Sequence, residues 1–145
     1  MIWQQTTPGS TSGPFTLLAQ AASGGAITTL SSNAGNFQLR DGLAAWTEST
    51  TTQTTGRFPG TITTVKASTS DNQTYQLSTV LSVNLYAVSG GNVLFGEAGK
   101  VYSWNAITKG STLLLETAPT QLMAVGKTVY FVMGSTQVVY KISMD

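Results

Sequence analysis

A short phrase recurs four times along the chain: two or three apolar residues, an aromatic, then polar or small residues. The copies are Met1-Ile2-Trp3-Gln4-Gln5, Ala44-Ala45-Trp46-Thr47-Glu48, Val93-Leu94-Phe95-Gly96-Glu97 and Val129-Tyr130-Phe131-Val132-Met133. Aligned on the aromatic, they lie 43, 49 and 36 residues apart. That period is too long for a hairpin repeat and suits one four-stranded antiparallel unit.

Other extended runs surround each copy. Upstream lie Asn36–Leu39, Val83–Val88 and Gln121–Val125, each separated from its aromatic phrase by a turn signal: Asp41-Gly42, Ser89-Gly90-Gly91-Asn92 and Gly126-Lys127. Pairs such as Asp-Gly supply the positive-φ positions of tight hairpins, so each upstream run and its phrase are predicted to be antiparallel partners. Downstream come Phe15–Ala19, Ile62–Lys66, Lys100–Trp104 and Gln137–Ile142, and then Ala26–Leu30, Thr74–Leu77 and Ser111–Leu115. With the four runs labelled a to d, the chain reads b-c-d, a-b-c-d, a-b-c-d, a-b-c, fourteen strands in all. No amphipathic helical period of useful length is present.

The b runs are almost continuously apolar, the c runs partly alternate and the d runs alternate weakly. Such a gradient fits sheets stacked side by side, with inner strands covered on both faces. Trp3, Trp46, Phe95 and Phe131 are then expected between adjacent sheets, each burying ~150–250 Å². The predicted fold class is all-β: antiparallel four-stranded blades stacked as a partial β-propeller of about four blades, the first and last incomplete. Residues 1–145 form a single such domain, a fragment of a larger propeller or one half of an oligomeric ring.

Two segments break the rhythm by lengthening the b–c connection, residues 6–13 and 49–60. Both read as surface loops, and Arg57-Phe58-Pro59 places a cation and an aromatic at one loop tip. Arg57 and Phe58 are therefore candidate partner contacts.

Composition narrows the classes. Apolar residues make up 41% of the chain but charged ones only 9%, and Thr, Ser, Gln and Asn supply the polar complement. Seven basic and six acidic residues are scattered singly, so no basic stripe exists to neutralise phosphates and no nucleic-acid partner is expected. No apolar run is long enough for a transmembrane helix, and the first residues show neither a basic n-region nor an apolar h-region. The sequence has no Cys and no His, which removes disulfides, Cys/His zinc sites and imidazole catalysis. A low-charge, Thr- and Ser-rich, Cys-free β chain fits an exported or cell-surface bacterial protein.

The pattern resembles the TolB-type and WD40-like β-propeller repeats of bacterial and archaeal exported or surface proteins. The matching stretches are Leu39–Glu48, Val88–Phe95, Gly99–Asn105 and Thr108–Leu115. The likeness lies in repeat consensus, and the sequence has neither a Trp-Asp dipeptide nor a Ser-Pro-Asp-Gly signature. The resemblance implies a non-catalytic binding or scaffold module.

Candidate chemistry is sparse. Glu48 and Glu97 stand two residues beyond the aromatic in successive units, but that position also marks the solvated end of a strand. Ser70-Asp71-Asn72 and Asp41-Gly42 offer too few oxygens for calcium and read as turns. Neither a catalytic group nor a cofactor is expected. The leading reading is a structural or binding module recognising protein or carbohydrate through loops, as a homo-oligomer or with a remaining part of the propeller. One alternative is a sugar-binding propeller lectin, for which Tyr102, Trp104 and Asn105 offer a cluster. The other is the propeller lid of a hydrolase.

Overall fold

A computed structural model describes residues 2–5, 14–52, 60–71, 73–78, 83–135 and 137–144. Thirteen strands account for most of these: β1 (Ile2–Gln5), β2 (Phe15–Ala19), β3 (Thr28–Arg40), β4 (Leu43–Thr52), β5 (Gly60–Ser68), β6 (Thr74–Ser78) and β7 (Val83–Ser89) come first. They are followed by β8 (Asn92–Glu97), β9 (Lys100–Asn105), β10 (Ser111–Leu115), β11 (Gln121–Val125), β12 (Thr128–Val132) and β13 (Val139–Ser143). The fold is all-β, every pairing is antiparallel, and the described residues contain no helix. Among them the sheets do not close into a barrel or ring.

Turn chemistry sets the hairpins where the sequence places them. Asp41-Gly42 joins β3 to β4 and Gly90-Gly91 joins β7 to β8, with φ of 52° and 77° in the first and 58° and 76° in the second. Two successive positive-φ residues make a primed turn, whose twist matches that of the paired strands. Gly90 is also fixed by its surroundings, because a Cβ there would run into the carbonyl oxygen of Gly126 in the β11–β12 turn.

One boundary differs from the sequence expectation. The d run of the first unit and the a run of the second are one continuous strand, β3, so thirteen strands replace fourteen and β1 through β6 form a single six-stranded sheet. Along β3, residues 28–34 pair with β2 and residues 34–40 with β4, so the strand passes from one set of partners to the other at Ala34. Ser31-Ser32-Asn33-Ala34-Gly35 contains no proline and no turn pair, and the chain bends through register irregularities near Leu17 and between Ala34 and Phe37. Between β10 and β11, by contrast, Pro119 cannot continue a ladder and the strands separate.

Four layers follow. Layer 1 is β1, β2 and residues 28–34; layer 2 is the rest of β3 with β4, β5 and β6. Layer 3 is the four-stranded sheet β7–β10, and layer 4 is β11–β13. Leu17 of layer 1 meets Ala44 and Trp46 of layer 2 in one buried cluster. Leu43, Ala45, Val65 and Ala67 of layer 2 meet Val83, Leu85, Phe95 and Trp104 of layer 3 in the largest. Leu94 of layer 3 meets Val129, with Phe131, Leu122 and Ile142, of layer 4 in the third.

These clusters share a register. Because side chains alternate along a strand, Trp46, Phe95 and Phe131 each turn back toward the preceding layer, while Ala45 and Leu94, one residue earlier, turn toward the following one. Phe95 and Phe131 therefore lie between adjacent sheets, as the repeat predicts, whereas Trp46 lies between two parts of one six-stranded sheet; the side chain of Trp3 lies outside the described residues. The burial gradient also appears: β8 is buried from Asn92 through Gly96, β9 alternates until Ser103 and Trp104 are both buried, and β10 is largely exposed.

Candidate functional site

In an up-and-down sheet the a–b and c–d turns fall at the same end. At that end of layers 1 and 2, three turns enclose a cleft of about 530 Å³. Its polar lining is Gln20 after β2, Arg40 and Asp41 at the β3–β4 turn, and Thr69 and Ser70 after β5; Ile2 and Leu39 supply an apolar floor. Leu39 is 46% exposed there. The Gln20 amide nitrogen donates to the Gly25 carbonyl at 2.8 Å, holding the β2–β3 connection in place. Arg40 Nε stands 3.9 Å from Asp41 Oδ2 with both side chains exposed, so the pair is loose and solvated. The cleft can offer guanidinium and hydroxyl donors and carboxylate and amide acceptors, but no nucleophile paired with a base.

The most constrained acid lies elsewhere. Glu48 Oε2 is 2.5 Å from Lys66 Nζ, and its Oε1 accepts from Trp46 Nε1 at 3.0 Å. Burial raises the carboxyl pKa, but hydrogen bonds from Lys66, Ser31 and Trp46 outweigh it and hold the group below its ordinary value. Glu48 thus anchors an aromatic and a cross-strand lysine, and those bonds occupy both its oxygens. Asp71 accepts from the Thr69 hydroxyl and, at 3.1 Å, from the Gln73 backbone N–H, and these bonds lower its pKa. It organises the β5–β6 turn. Among the described residues no three His, Cys, Asp or Glu side chains gather to hold a metal ion, and no helix is long and apolar enough to cross a membrane.

The residues singled out from sequence are placed as follows. Trp104 is only 3% exposed, within the layer 2–layer 3 cluster; its ring lies 5.3 Å from Tyr75 and under Lys109 Nζ at 5.6 Å. Tyr102 stacks on Phe95 with centroids 5.6 Å apart. Asn105 closes the β9–β10 turn, its Oδ1 accepting from the backbone of Ile107 and Thr108 and its Nδ2 donating to buried Asn92. The three are neighbours, occupied by packing and turn formation. Arg57, Phe58 and residues 6–13 lie outside the described residues. Of the segment 49–60, residues 49–52 extend β4 and Gly60 opens β5, paired out to Thr52↔Gly60. The β-branched run Thr50-Thr51-Thr52 favours that extension.

Sequence reading missed the cleft because Gln20, Arg40 and Ser70 come from three separate turns. Strand parity was the available signal, since it sends the Asp41-Gly42, Ser23-Gly24-Gly25 and Ser70-Asp71 turns to one end. Comparison with protein-family models, with curated proteins and with solved structures gives no match.

Proposed function

We propose that the chain is a non-catalytic recognition module of an exported bacterial protein, built as consecutive propeller-like blades in the manner of TolB-type repeats. The observation behind this reading is the shared register of the layers. Trp46, Phe95 and Phe131 are each spent on the preceding layer, and the half-buried Glu48 on fixing Trp46 and Lys66. Among the described residues, what is left for outside chemistry is the turn-lined cleft with Arg40, Asp41, Gln20 and Thr69 at the ends of paired strands. A small floor with several hydrogen-bonding groups suits a hydroxyl-rich or peptide ligand.

Arg40→Ala and Asp41→Ala, compared with the unchanged protein on glycan and peptide arrays, test the assignment. Ligands held by the parent and lost by both variants at unchanged melting temperature support it. Undiminished binding by the variants, or turnover of a bound ligand, overturns it.

A further inference from the structure

Layer 4 leaves open a face that is largely apolar, with Lys141 opposite Tyr130 and Gln121 opposite Val132 as its polar members. Alternation along β11–β13 turns Met123, Val125, Tyr130 and Val139 away from the Leu94–Val129 cluster, and Met123 and Val139 are 59% and 63% exposed. Met123, Tyr130, Val132 and Val139 line a shallow hollow of about 250 Å³ on this face. Counted from the aromatic, Tyr130 holds the position of Ala45 and Leu94, both fully buried against the layer that follows them. The face is therefore in register to receive another layer of the same repeat. At the opposite end of the stack, β2 buries Leu17 and Ala19 inward and turns Thr16 and Leu18, half-buried, to the other side. That second face stands where a preceding layer belongs.

We infer that layer 4 of one copy receives the Leu18 face of layer 1 of a second copy, head to tail, an inference that rests on the stacked-blade reading above. The two faces continue the internal layer-to-layer interfaces in the same order, so one contact satisfies both. A face of three five-residue strands measures roughly 17 Å by 14 Å, well short of the ~800 Å² per partner of a standard interface. A single contact is thus weak, and a pair of copies closed on itself, using the contact twice, is favoured over an open chain. Two copies contribute eight layers, within the usual range for a closed ring.

Sedimentation velocity of the whole chain from low to high micromolar concentration reads the association. The expected result is a species of twice the chain mass, with dissociation raised at least tenfold by Met123→Lys/Tyr130→Lys and equally by Leu18→Lys. Mixing the two variants gives a one-to-one complex tighter than either variant forms alone but weaker than the parent pair, because one of the two interfaces is intact. A monomer throughout overturns the inference, as does a Leu18→Lys protein that still pairs, which would mean layer 4 faces meeting each other. A ladder of higher species overturns closure of the pair. Should a lysine variant fail to fold, the cysteine-free chain allows Leu18→Cys/Tyr130→Cys to be joined by a short bis-maleimide. Covalent dimer from the double variant, and none from Tyr130→Cys alone, is required. An unchanged chain that stays monomeric while its array binding is intact would count against the association and leave the recognition reading standing.

Discussion

Layers 3 and 4 use nearly the same phrase in their b strands, Val93-Leu94-Phe95-Gly96 and Val129-Tyr130-Phe131-Val132, yet they sit in different surroundings. β8 is buried along almost its whole length because layers 2 and 4 cover its two faces. β12 buries Val129 and half-buries Phe131 on one side, leaving Tyr130 exposed on the other. Coverage by neighbours decides the burial of a strand that sequence alone marks only as apolar. The chain nevertheless anticipates the difference: a tyrosine, with a polar tip, stands where layer 3 has a leucine.

The largest difference between the two layers is expected at the aromatics. Phe95→Ala should cost about 3–5 kcal/mol in urea unfolding, since it empties a site closed on both sides. Tyr130→Ala should cost less than about 1 kcal/mol at concentrations where the chain is monomeric. Equal losses would show that the two layers are not differently covered.

The contact between the turns of these layers is the next test. Gly90→Ala combines a positive φ with collision against the Gly126 carbonyl, for about 2–4 kcal/mol. Gly134→Ala, at φ +58° with open space around it, should lose only about 1–2 kcal/mol. Thermal melts of the two variants compare them directly, and similar melting temperatures would place the strain elsewhere.

Smaller effects separate a half-buried ion pair from an exposed one. Glu48→Gln should lose about 1–3 kcal/mol at neutral pH, because charged hydrogen bonds to Lys66 and Trp46 are weakened. The Glu48 pKa is lowered in the folded state from an ordinary value of 4.5. Its contribution is thus complete above about that pH and is lost as pH falls through the lower folded-state value. The gap between parent and Glu48→Gln melting temperatures should close with acidification; a gap that persists at pH 2 would contradict the assignment. Lys100 and Glu116 form a 2.6 Å pair with both side chains exposed. Glu116→Gln should leave the melt unchanged within error.

Strands and hairpins were legible because their signals are local. Gly90-Gly91 takes the positive φ values of a tight turn without steric cost, and Val93-Leu94-Phe95 is apolar enough to demand cover. The fusion of two predicted strands into β3 was not legible. Ser31–Gly35 carries no strong breaker, and whether it turns or runs straight depends on β2 and β4 lying on either side of Ala34. Trp104 shows the same limit at a candidate site. Beside Tyr102 and Asn105 it reads in sequence as a ligand platform, but Tyr75 and Lys109, from other turns and strands, cover its ring.

The all-β class, the period of the repeat, the turn positions and the side chains that must leave water can be read from the residues alone. Those follow from backbone preferences and from alternation over a few residues. Tertiary structure decided which layer each aromatic meets, the joining of layers 1 and 2 through β3, and the assembly of the Gln20–Arg40–Ser70 cleft. These depend on which surfaces reach one another across tens of residues, and hydrophobic burial, being non-directional, marks a residue for cover without naming what covers it.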